Sequence, residues 1–165
     1  MKSLFTLLVA FAVSASCFGQ YESKPETSET RAQAVYGEFL GTGVTFSVHY
    51  DFRFAKKQNG FGARVGLGFF GGSDGGILTI PVGINHLAGK GPHYFESGIG
   101  VTYGTGFSGD DFGEDAGFLL TPTVGYRYMP LVKGFTAKIY IGPLIFMGEG
   151  GGWFMFGGFG LGYKF

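Results

Sequence analysis

The stretch that decides the fold is the last one in the chain, WFMFGGFGLGYKF at 153–165. In an extended strand, alternate side chains point to opposite faces. Counted back from Phe165, most alternate positions are large and apolar, whereas the intervening positions hold Lys164 and several glycines. This pattern predicts one strand of a membrane-spanning β-barrel, with an apolar face toward lipid and a nearly bare face toward a narrow lumen.

The same stretch predicts how the chain is inserted. Its aromatic end, with Gly160, Tyr163 and Phe165 at their relative spacing, resembles the C-terminal signal by which the outer-membrane assembly machinery recognises bacterial barrel proteins. Gly158 stands where that signal usually has a polar residue. The resemblance implies that the barrel-assembly machinery is a partner of this chain during insertion.

The composition excludes several classes of protein. Among 165 residues, 33 are glycine, 18% are aromatic and only 15% are charged. This composition is too apolar for a disordered chain and too rich in glycine for a helical one. The formal net charge is zero, so bulk charge predicts no nucleic-acid partner. The single cysteine, Cys17, excludes an intrachain disulfide, and nothing in the sequence predicts a cofactor.

The N-terminal residues predict export. Lys2, the apolar run at 4–13 and the small residues before Gln20 are typical of a secretory signal peptide at 1–19. The alternative is a lipoprotein signal with Cys17 as the lipidated residue, which is disfavoured because no leucine stands three residues before it. The polar residues at 20–33 predict a flexible periplasmic leader, and the barrel domain is expected at 34–165.

Segments of alternating hydrophobicity, separated by turn residues, continue from residue 34 to the end. They predict an all-β fold: an eight-stranded antiparallel up-and-down transmembrane β-barrel with a filled polar lumen. An even number of strands keeps both termini periplasmic, and Gly41 and Gly43 allow a tight first turn. The strands are expected near 34–41, 44–55, 61–70, 77–88, 94–104, 117–129, 135–147 and 153–165.

Three of the prolines lie inside predicted strands, at Pro81, Pro122 and Pro143. Each removes a backbone donor in a place where no water replaces it. We therefore expect these prolines near β-bulges or at the outer rim of the barrel.

Several ionisable residues share the face that is predicted to line the lumen. A charge in a narrow lumen is tolerated only when it is paired, so we expect a network of salt bridges that fills the barrel. The preferred pairs are Glu38 with Lys164 and Glu96 with Arg127. The full set is Glu38, Asp51, Arg53, Arg64, Glu96, Arg127, Lys138 and Lys164.

Ser47, His49 and Asp51 share one face of the second predicted strand and resemble the components of a hydrolase. Neighbours on the same face lie about 6.5–7 Å apart. That spacing is too long for the contact of about 2.6–3.2 Å that a nucleophile makes with its base, unless the two side chains bend toward each other. A polar stripe in the lumen is the favoured interpretation, although enzyme function stays an alternative.

Charge is distributed unequally between the two ends of the predicted barrel. The outer connections carry acids without lysine or arginine, and the inner connections carry lysines without acids. In the longest outer connection, SGDDFGEDA at 108–116, four carboxylates are weak candidates to bind a hard cation such as calcium. A solvated acidic loop is favoured, and a cation bridge to lipopolysaccharide is the alternative. The four residues are Asp110, Asp111, Glu114 and Asp115.

Four segments, VYGEFLGTG at 35–43, TIPVGINHLAGK at 79–90, LLTPTVGYRY at 119–128 and GLGYKF at 160–165, together resemble small outer-membrane barrel proteins of Bacteroidota. The resemblance implies a barrel in the bacterial outer membrane, with outer-membrane lipid and lipopolysaccharide as its partners. It implies no established catalytic residues. The main hypothesis is a non-enzymatic integral barrel with a role in envelope integrity or interaction. The alternatives are an outer-leaflet lipid-modifying enzyme, of the deacylase or acyltransferase kind, and a narrow pore. The sequence does not predict the oligomeric state.

Overall fold

The chain forms a closed antiparallel barrel of eight strands that follow one another in sequence order. The computed structural model describes residues 31–72, 75–108, 111–148 and 151–165, apart from the side chains of 108 and 111–115. The predicted signal peptide and residues 20–30 of the predicted leader lie outside the described residues. In the described part, no helix is long and apolar enough to span a membrane. The prediction of an all-β, eight-stranded, up-and-down barrel is confirmed.

All eight predicted strands are present, with ends that differ from the predicted ones by a few residues. The end of the barrel that holds Gln33 and Lys164 is termed the base, and the opposite end, which holds Met147 and Trp153, is termed the rim. The strands are β1 Gln33–Leu40, β2 Phe46–Arg53, β3 Gly60–Gly72, β4 Gly75–Lys90, β5 His93–Ser108, β6 Asp111–Tyr128, β7 Gly134–Met147 and β8 Trp153–Lys164.

Polar side chains lie inside the barrel and apolar side chains lie outside. On β7, Lys138 and Tyr140 are buried, whereas the alternate residues Ile139 and Ile141 are 62% and 52% exposed. The strand therefore follows the period of two that its sequence predicts. Large apolar side chains are exposed on all eight strands, which is the reverse of the arrangement in a soluble globular protein.

The last strand closes the barrel against the first. The β1–β8 ladder runs from Ala34↔Lys164 to Leu40↔Gly158. The lysine of β8 is buried and Tyr163 beside it is 53% exposed, as the alternation predicts. The rest of the inner face of β8 near the base consists of glycines, which leave room for the long side chains of neighbouring strands.

The three prolines lie in the middle of strands, so the expectation of bulges or the rim is wrong. Pro122 of β6 and Pro143 of β7 face each other where the ladder between the two strands is interrupted, between Leu120 and Val124 of β6. The two prolines occupy opposite positions on neighbouring strands, so one interruption of the ladder accommodates both residues that lack a backbone donor. The register of the two strands is the same on either side of the interruption. Pro81 lies at a similar interruption between β3 and β4.

The segment predicted as a long acidic loop is largely strand. The backbone of β6 begins at Asp111, and its ladder with β5 starts at the pair Ser108↔Asp111. Pairing with the neighbouring strand outweighs the low strand propensity of aspartate and glycine here. Asp110 lies outside the described residues, as do the side chains of Asp111, Glu114 and Asp115, so the cation site stays a prediction.

The connection between β1 and β2 turns into the lumen instead of extending beyond the rim. Gly41–Gly43 form one 3₁₀ turn whose three residues are buried, and residues 40–44 are termed the plug. A tight turn was predicted here with positive φ at both glycines. Positive φ occurs instead at Gly41, at Leu40 (55°) and at Val44 (78°), a strained backbone conformation for a β-branched residue.

Candidate functional site

The lumen is closed at the base by side chains from several strands and connections. Lys164 contributes by donating hydrogen bonds to the backbone carbonyls of Pro130 and Leu131, at 2.9 Å each. Gln58 donates to the same carbonyl of Pro130 at 2.7 Å. These bonds hold the connection after β6 across the barrel end. A cluster of buried apolar residues also lies at the base and consists of Ala32, Leu87, Tyr94 and Met129.

Above the base lies a buried ionic network, termed the Asp51 cluster, which consists of Asp51, Arg53, Asn85, Glu96 and Arg127. Asp51 accepts hydrogen bonds from Arg53 Nη2 at 2.6 Å and from Arg127 Nη1 at 3.0 Å. Asn85 Nδ2 donates to Asp51 at 2.7 Å and to Glu96 at 3.0 Å, and its Oδ1 accepts from Arg53. The predicted pair Glu96–Arg127 is present at 3.7 Å. The cluster therefore joins four strands, β2, β4, β5 and β6, through paired charges and the amide of Asn85.

A second network, termed the Glu38 cluster, lies nearer the rim and consists of Glu38, Thr42, Lys138 and Tyr140. Lys138 Nζ lies 2.8 Å from Glu38 Oε2. The other carboxylate oxygen accepts hydrogen bonds from the hydroxyl of Tyr140 at 2.5 Å, and from the backbone N–H and hydroxyl of Thr42 at 3.0 Å each. The carboxylate of Glu38 thus binds β1, β7 and the plug together.

The predicted pair Glu38–Lys164 is wrong, and the register explains why. On β8, Lys164 stands opposite Ala34, whereas Glu38 stands opposite Gly160. Four residues along a strand correspond to about 13 Å, too far for an ion pair. On its other side, Gly160 stands opposite Lys138. Because Gly160 has no side chain, Glu38 and Lys138 reach each other across β8.

Tyr36 connects the two clusters. Lys138 Nζ donates a hydrogen bond to the Tyr36 hydroxyl at 3.1 Å and lies 4.3 Å from the centre of its ring. Arg127 of the Asp51 cluster lies 5.3 Å from the same ring, and the His49 ring stacks on it at 5.1 Å. Cations above an aromatic face are stabilised by the charge distribution of the ring. The tyrosine therefore contacts one cation from each cluster.

Arg64 is the exception among the predicted lumen charges. It is 4% exposed, and its guanidinium lies 5.9 Å from the centre of the Tyr140 ring. Its partner across the β2–β3 ladder is Asp51, whose carboxylate is bound by Arg53 and Arg127. Among the described side chains, no carboxylate lies within ion-pair distance of Arg64.

Ser47 and His49 are in contact, because their side chains bend toward each other, the one condition under which the predicted spacing allows a hydrogen bond. Ser47 Oγ lies 2.8 Å from His49 Nε2, because side chains on a strand lean along it toward each other. The contact differs from a catalytic relay, in which the acid binds the ring nitrogen opposite the nucleophile. Here Glu38 Oε1 lies 3.5 Å from the same Nε2 atom, and both Ser47 and His49 are buried.

The plug is fixed by hydrogen bonds from three strands across the lumen. Thr102 of β5 donates to the backbone carbonyl of Thr42 at 2.7 Å, and Thr79 of β4 donates to that of Gly43 at 3.0 Å. The backbone N–H of Thr42 also donates to the hydroxyl of Tyr140 at 3.0 Å. The polar groups that the turn brings into the barrel therefore have partners, and the plug covers the Glu38 cluster on the rim side.

The structure brings most of the predicted lumen charges into these clusters, and it adds residues that the sequence reasoning did not use. Tyr36 and Tyr140 each stand two residues from a predicted lumen charge, so the period of two already placed them inside. Asn85 and Thr42 had no such signal, because their roles depend on which strands face each other. No group of three His, Cys, Asp or Glu residues able to hold a metal ion occurs among the described ones.

Together, the strands and the lumen define a class: closed eight-stranded β-barrels with a polar, filled interior and an apolar exterior. Among solved structures, the chain is similar to the N-terminal β-barrel domain of OprF from Pseudomonas aeruginosa, with a TM-score of 0.52 and 14% sequence identity. The match covers 84% of this chain and 98% of that domain, and it shows the fold. No family model and no curated protein matches the chain.

Replacing Glu38 by glutamine should strongly destabilise the barrel, because it leaves Lys138 buried without its carboxylate. We expect a loss of about 3–5 kcal/mol in the free energy of unfolding. The measurement is a urea titration in detergent micelles, followed by the fluorescence of Trp153, the single tryptophan. The control is the double variant Glu38→Gln with Lys138→Met, which should recover much of the loss. An unchanged stability of Glu38→Gln would contradict the assigned network.

Tyr140→Phe should loosen the plug without removing a charge. The substitution deletes one hydroxyl that serves both Glu38 and the Thr42 amide, and we expect a cost of about 1–2 kcal/mol. Hydrogen exchange at the Thr42 amide should become faster. Tyr163→Phe is the matched control, because that hydroxyl lies on the exposed outer face. Equal effects of the two variants would show that the Tyr140 hydroxyl does not hold the plug.

Proposed function

We propose that the protein is an integral outer-membrane β-barrel with a structural, non-enzymatic role in the cell envelope. The observation that carries this proposal is the inverted distribution of side chains: charges lie inside and large apolar side chains lie outside on every strand. In water, such an exterior would be a large unfavourable surface. In a bilayer it is matched to its surroundings, and the ladders between the strands satisfy most of the backbone without water.

Three further features support an outer-membrane location. Membrane barrels with an even number of strands are typical of the bacterial outer membrane, and here both ends of the barrel chain lie at the base. Residues 1–19 have the pattern of an export signal. Tyr163 and Phe165, in the proposed assembly signal, are 53% and 45% exposed on the outside of the closing strand. We place the base in the periplasm and the rim at the cell surface, among outer-membrane lipid and lipopolysaccharide.

The two alternatives have less support. For the enzyme, Ser47 and His49 lie beneath the plug, and Ser47 Oγ and Glu38 Oε1 both approach the same ring nitrogen, Nε2 of His49, which is not the arrangement of a catalytic relay. For the pore, the lumen is occupied in succession by the apolar base cluster, the Asp51 cluster and the Glu38 cluster with its plug. A small barrel of eight strands has an interior that side chains just fill. A role in envelope integrity, as a rigid membrane anchor, fits this filled interior best.

Membrane insertion should depend on the apolar exterior. Ile141→Arg places a charge on the outer face in the middle of β7 and should cost about 2–4 kcal/mol of folding free energy in a bilayer. The matched control is Val132→Arg, because Val132 lies in the connection after β6 and is 75% exposed. Folding into phospholipid vesicles is measured by the heat-dependent shift of the barrel on gels.

The wild-type protein is tested in the same experiment. It should fractionate with the outer membrane, require detergent for extraction and show the heat-dependent gel shift. A wild-type protein that stays soluble without detergent and shows no shift would overturn the proposal. Equal insertion of Ile141→Arg and Val132→Arg would show that the exterior of β7 does not face lipid.

A measurement of single-channel conductance distinguishes the proposed structural role from the alternative function as a pore. Protein that has passed the gel-shift test should give no steady single-channel steps in planar bilayers, because paired side chains fill the lumen at several levels. The same preparation of Asp51→Ala, which disrupts the central ionic network, serves as the comparison. Regular steps from the wild-type protein would favour the pore and contradict the structural proposal.

A further inference from the structure

The inner face of the barrel changes from polar to apolar between the plug and the rim. On β7, the inward residues Lys138 and Tyr140 are followed toward the rim by Leu144 and Phe146. On β8, the inward glycines are followed by Phe156 and Phe154. The ring of Phe156 lies 6.3 Å from that of Tyr140 in the lumen, which confirms that it faces inward. The lumen therefore has an apolar upper part.

Apolar residues from five strands form this part, which is termed the rim vestibule. The register pairs Phe70 with Ile77, Leu119 with Phe146, and Leu144 with Phe154 on the inner faces. Several of these inward-facing side chains remain accessible, for example Phe146 at 49% and Phe154 at 48% exposure. The residues that define the rim vestibule are Phe70, Ile77, Leu119, Phe146, Phe154 and Phe156.

The plug separates the rim vestibule from the charged clusters. Its backbone carbonyls are bound by Thr79 and Thr102, so their acceptor groups are satisfied below the vestibule. The Glu38 carboxylate lies on the other side and is bound by Lys138, Tyr140 and the plug itself. Among the described side chains, those of the vestibule therefore present carbon to an occupant, and the Glu38 carboxylate lies beneath them.

The rim vestibule also has a lateral opening, because β1 and β2 are short. The β1–β8 ladder ends at Leu40↔Gly158 and the β2–β3 ladder ends at Phe46↔Phe69. Among the described residues, 153–157 of β8 have no strand partner on the side of β1, an edge of about 17 Å. This gap beside 153–157 is termed the notch.

Both faces of β8 are apolar along the notch. Trp153 and Met155 face outward and are 60% and 54% exposed, whereas Phe154 and Phe156 face the rim vestibule. An apolar sequence on both faces is typical of a strand that has apolar groups packed against both of its faces. The lipid-facing exterior and the rim vestibule therefore form one continuous apolar surface around this edge.

We propose that the rim vestibule binds the hydrocarbon chain of a membrane lipid, which enters from the outer leaflet through the notch. The inference rests on the proposed membrane insertion, since insertion places lipid chains beside the notch. A hydrocarbon chain matches the vestibule because it needs no hydrogen bonds and covers apolar carbon. The continuity of the two apolar surfaces favours a lipid chain over a polar soluble ligand, whose hydrogen-bonding groups would lose their water against apolar carbon.

Two glycines provide space in the rim vestibule for such a chain. Gly104 of β5 and Gly117 of β6 are cross-strand partners on the inner face. A side chain built at Gly117 would meet nothing within 4 Å, and one at Gly104 would make ordinary contact with Thr79 and Ile77. A Cβ atom at Gly117 therefore has open space around it, and a larger side chain at this inward position extends into the vestibule.

The test compares Gly117→Phe with Ala116→Phe, which places the same side chain on the adjacent, outward position. Each protein is extracted in mild detergent, supplied with palmitoyl-oleoyl phosphatidylethanolamine, and analysed by native mass spectrometry. The wild type and Ala116→Phe should retain one lipid after the loosely attached lipids are removed. Gly117→Phe should retain about tenfold less, because the ring excludes the chain. Equal retention by both variants would overturn the proposal.

A second measurement locates the chain directly. Crystals of the wild-type protein grown with phosphatidylethanolamine that carries bromine on one acyl chain should give anomalous signal beside Phe154 and Phe156. Signal only on the outside of the barrel would overturn the proposal. The gel shift of every sample distinguishes the two proposals. A protein that inserts but binds no lipid chain contradicts only the proposed binding site in the rim vestibule. A wild-type protein that does not insert contradicts the proposed membrane location.

Discussion

The carboxylate of Glu38 is the group on which the interior of the barrel depends. It is buried, and its two oxygens bind the Lys138 ammonium on β7, the Tyr140 hydroxyl and the Thr42 backbone. A buried charge is tolerated only when its partners are fixed, and these partners come from distant parts of the chain. The same carboxylate therefore joins the closing seam of the barrel to the plug, and the plug divides the charged lumen from the apolar rim vestibule.

The high glycine content follows from the volume available inside eight strands. Where a long side chain crosses the lumen, the neighbouring strand has a glycine beneath it. Gly160 lies under Lys138 and Tyr36, and a side chain there would come within 3.2 Å of both. Gly62 lies in the same way beside Arg53. Most of these inner glycines lie in regular strands, so they serve close packing rather than flexibility.

The sequence predicted the strands and their faces because a period of two is a local property of the chain. It also predicted Glu96 with Arg127, since those residues lie near each other on neighbouring strands. It did not predict Glu38 with Lys138, because that contact depends on the stagger that puts Gly160 between them. The sequence did not predict the plug for a similar reason. The glycines at 41 and 43 indicate a turn, but its inward direction depends on hydrogen bonds to strands across the lumen.

The plug and the notch are two consequences of one short hairpin. Residues 40–44 could have continued β1 and β2 toward the rim, which would have covered the part of the free edge of β8 next to Gly158. They turn inward instead, with strained backbone at Leu40 and Val44. The strain is offset by hydrogen bonds from Thr79, Thr102 and Tyr140, which an extended hairpin would leave without partners. The hydrogen bonds that hold the plug inside the lumen therefore also leave the notch at the side of the barrel without a covering strand.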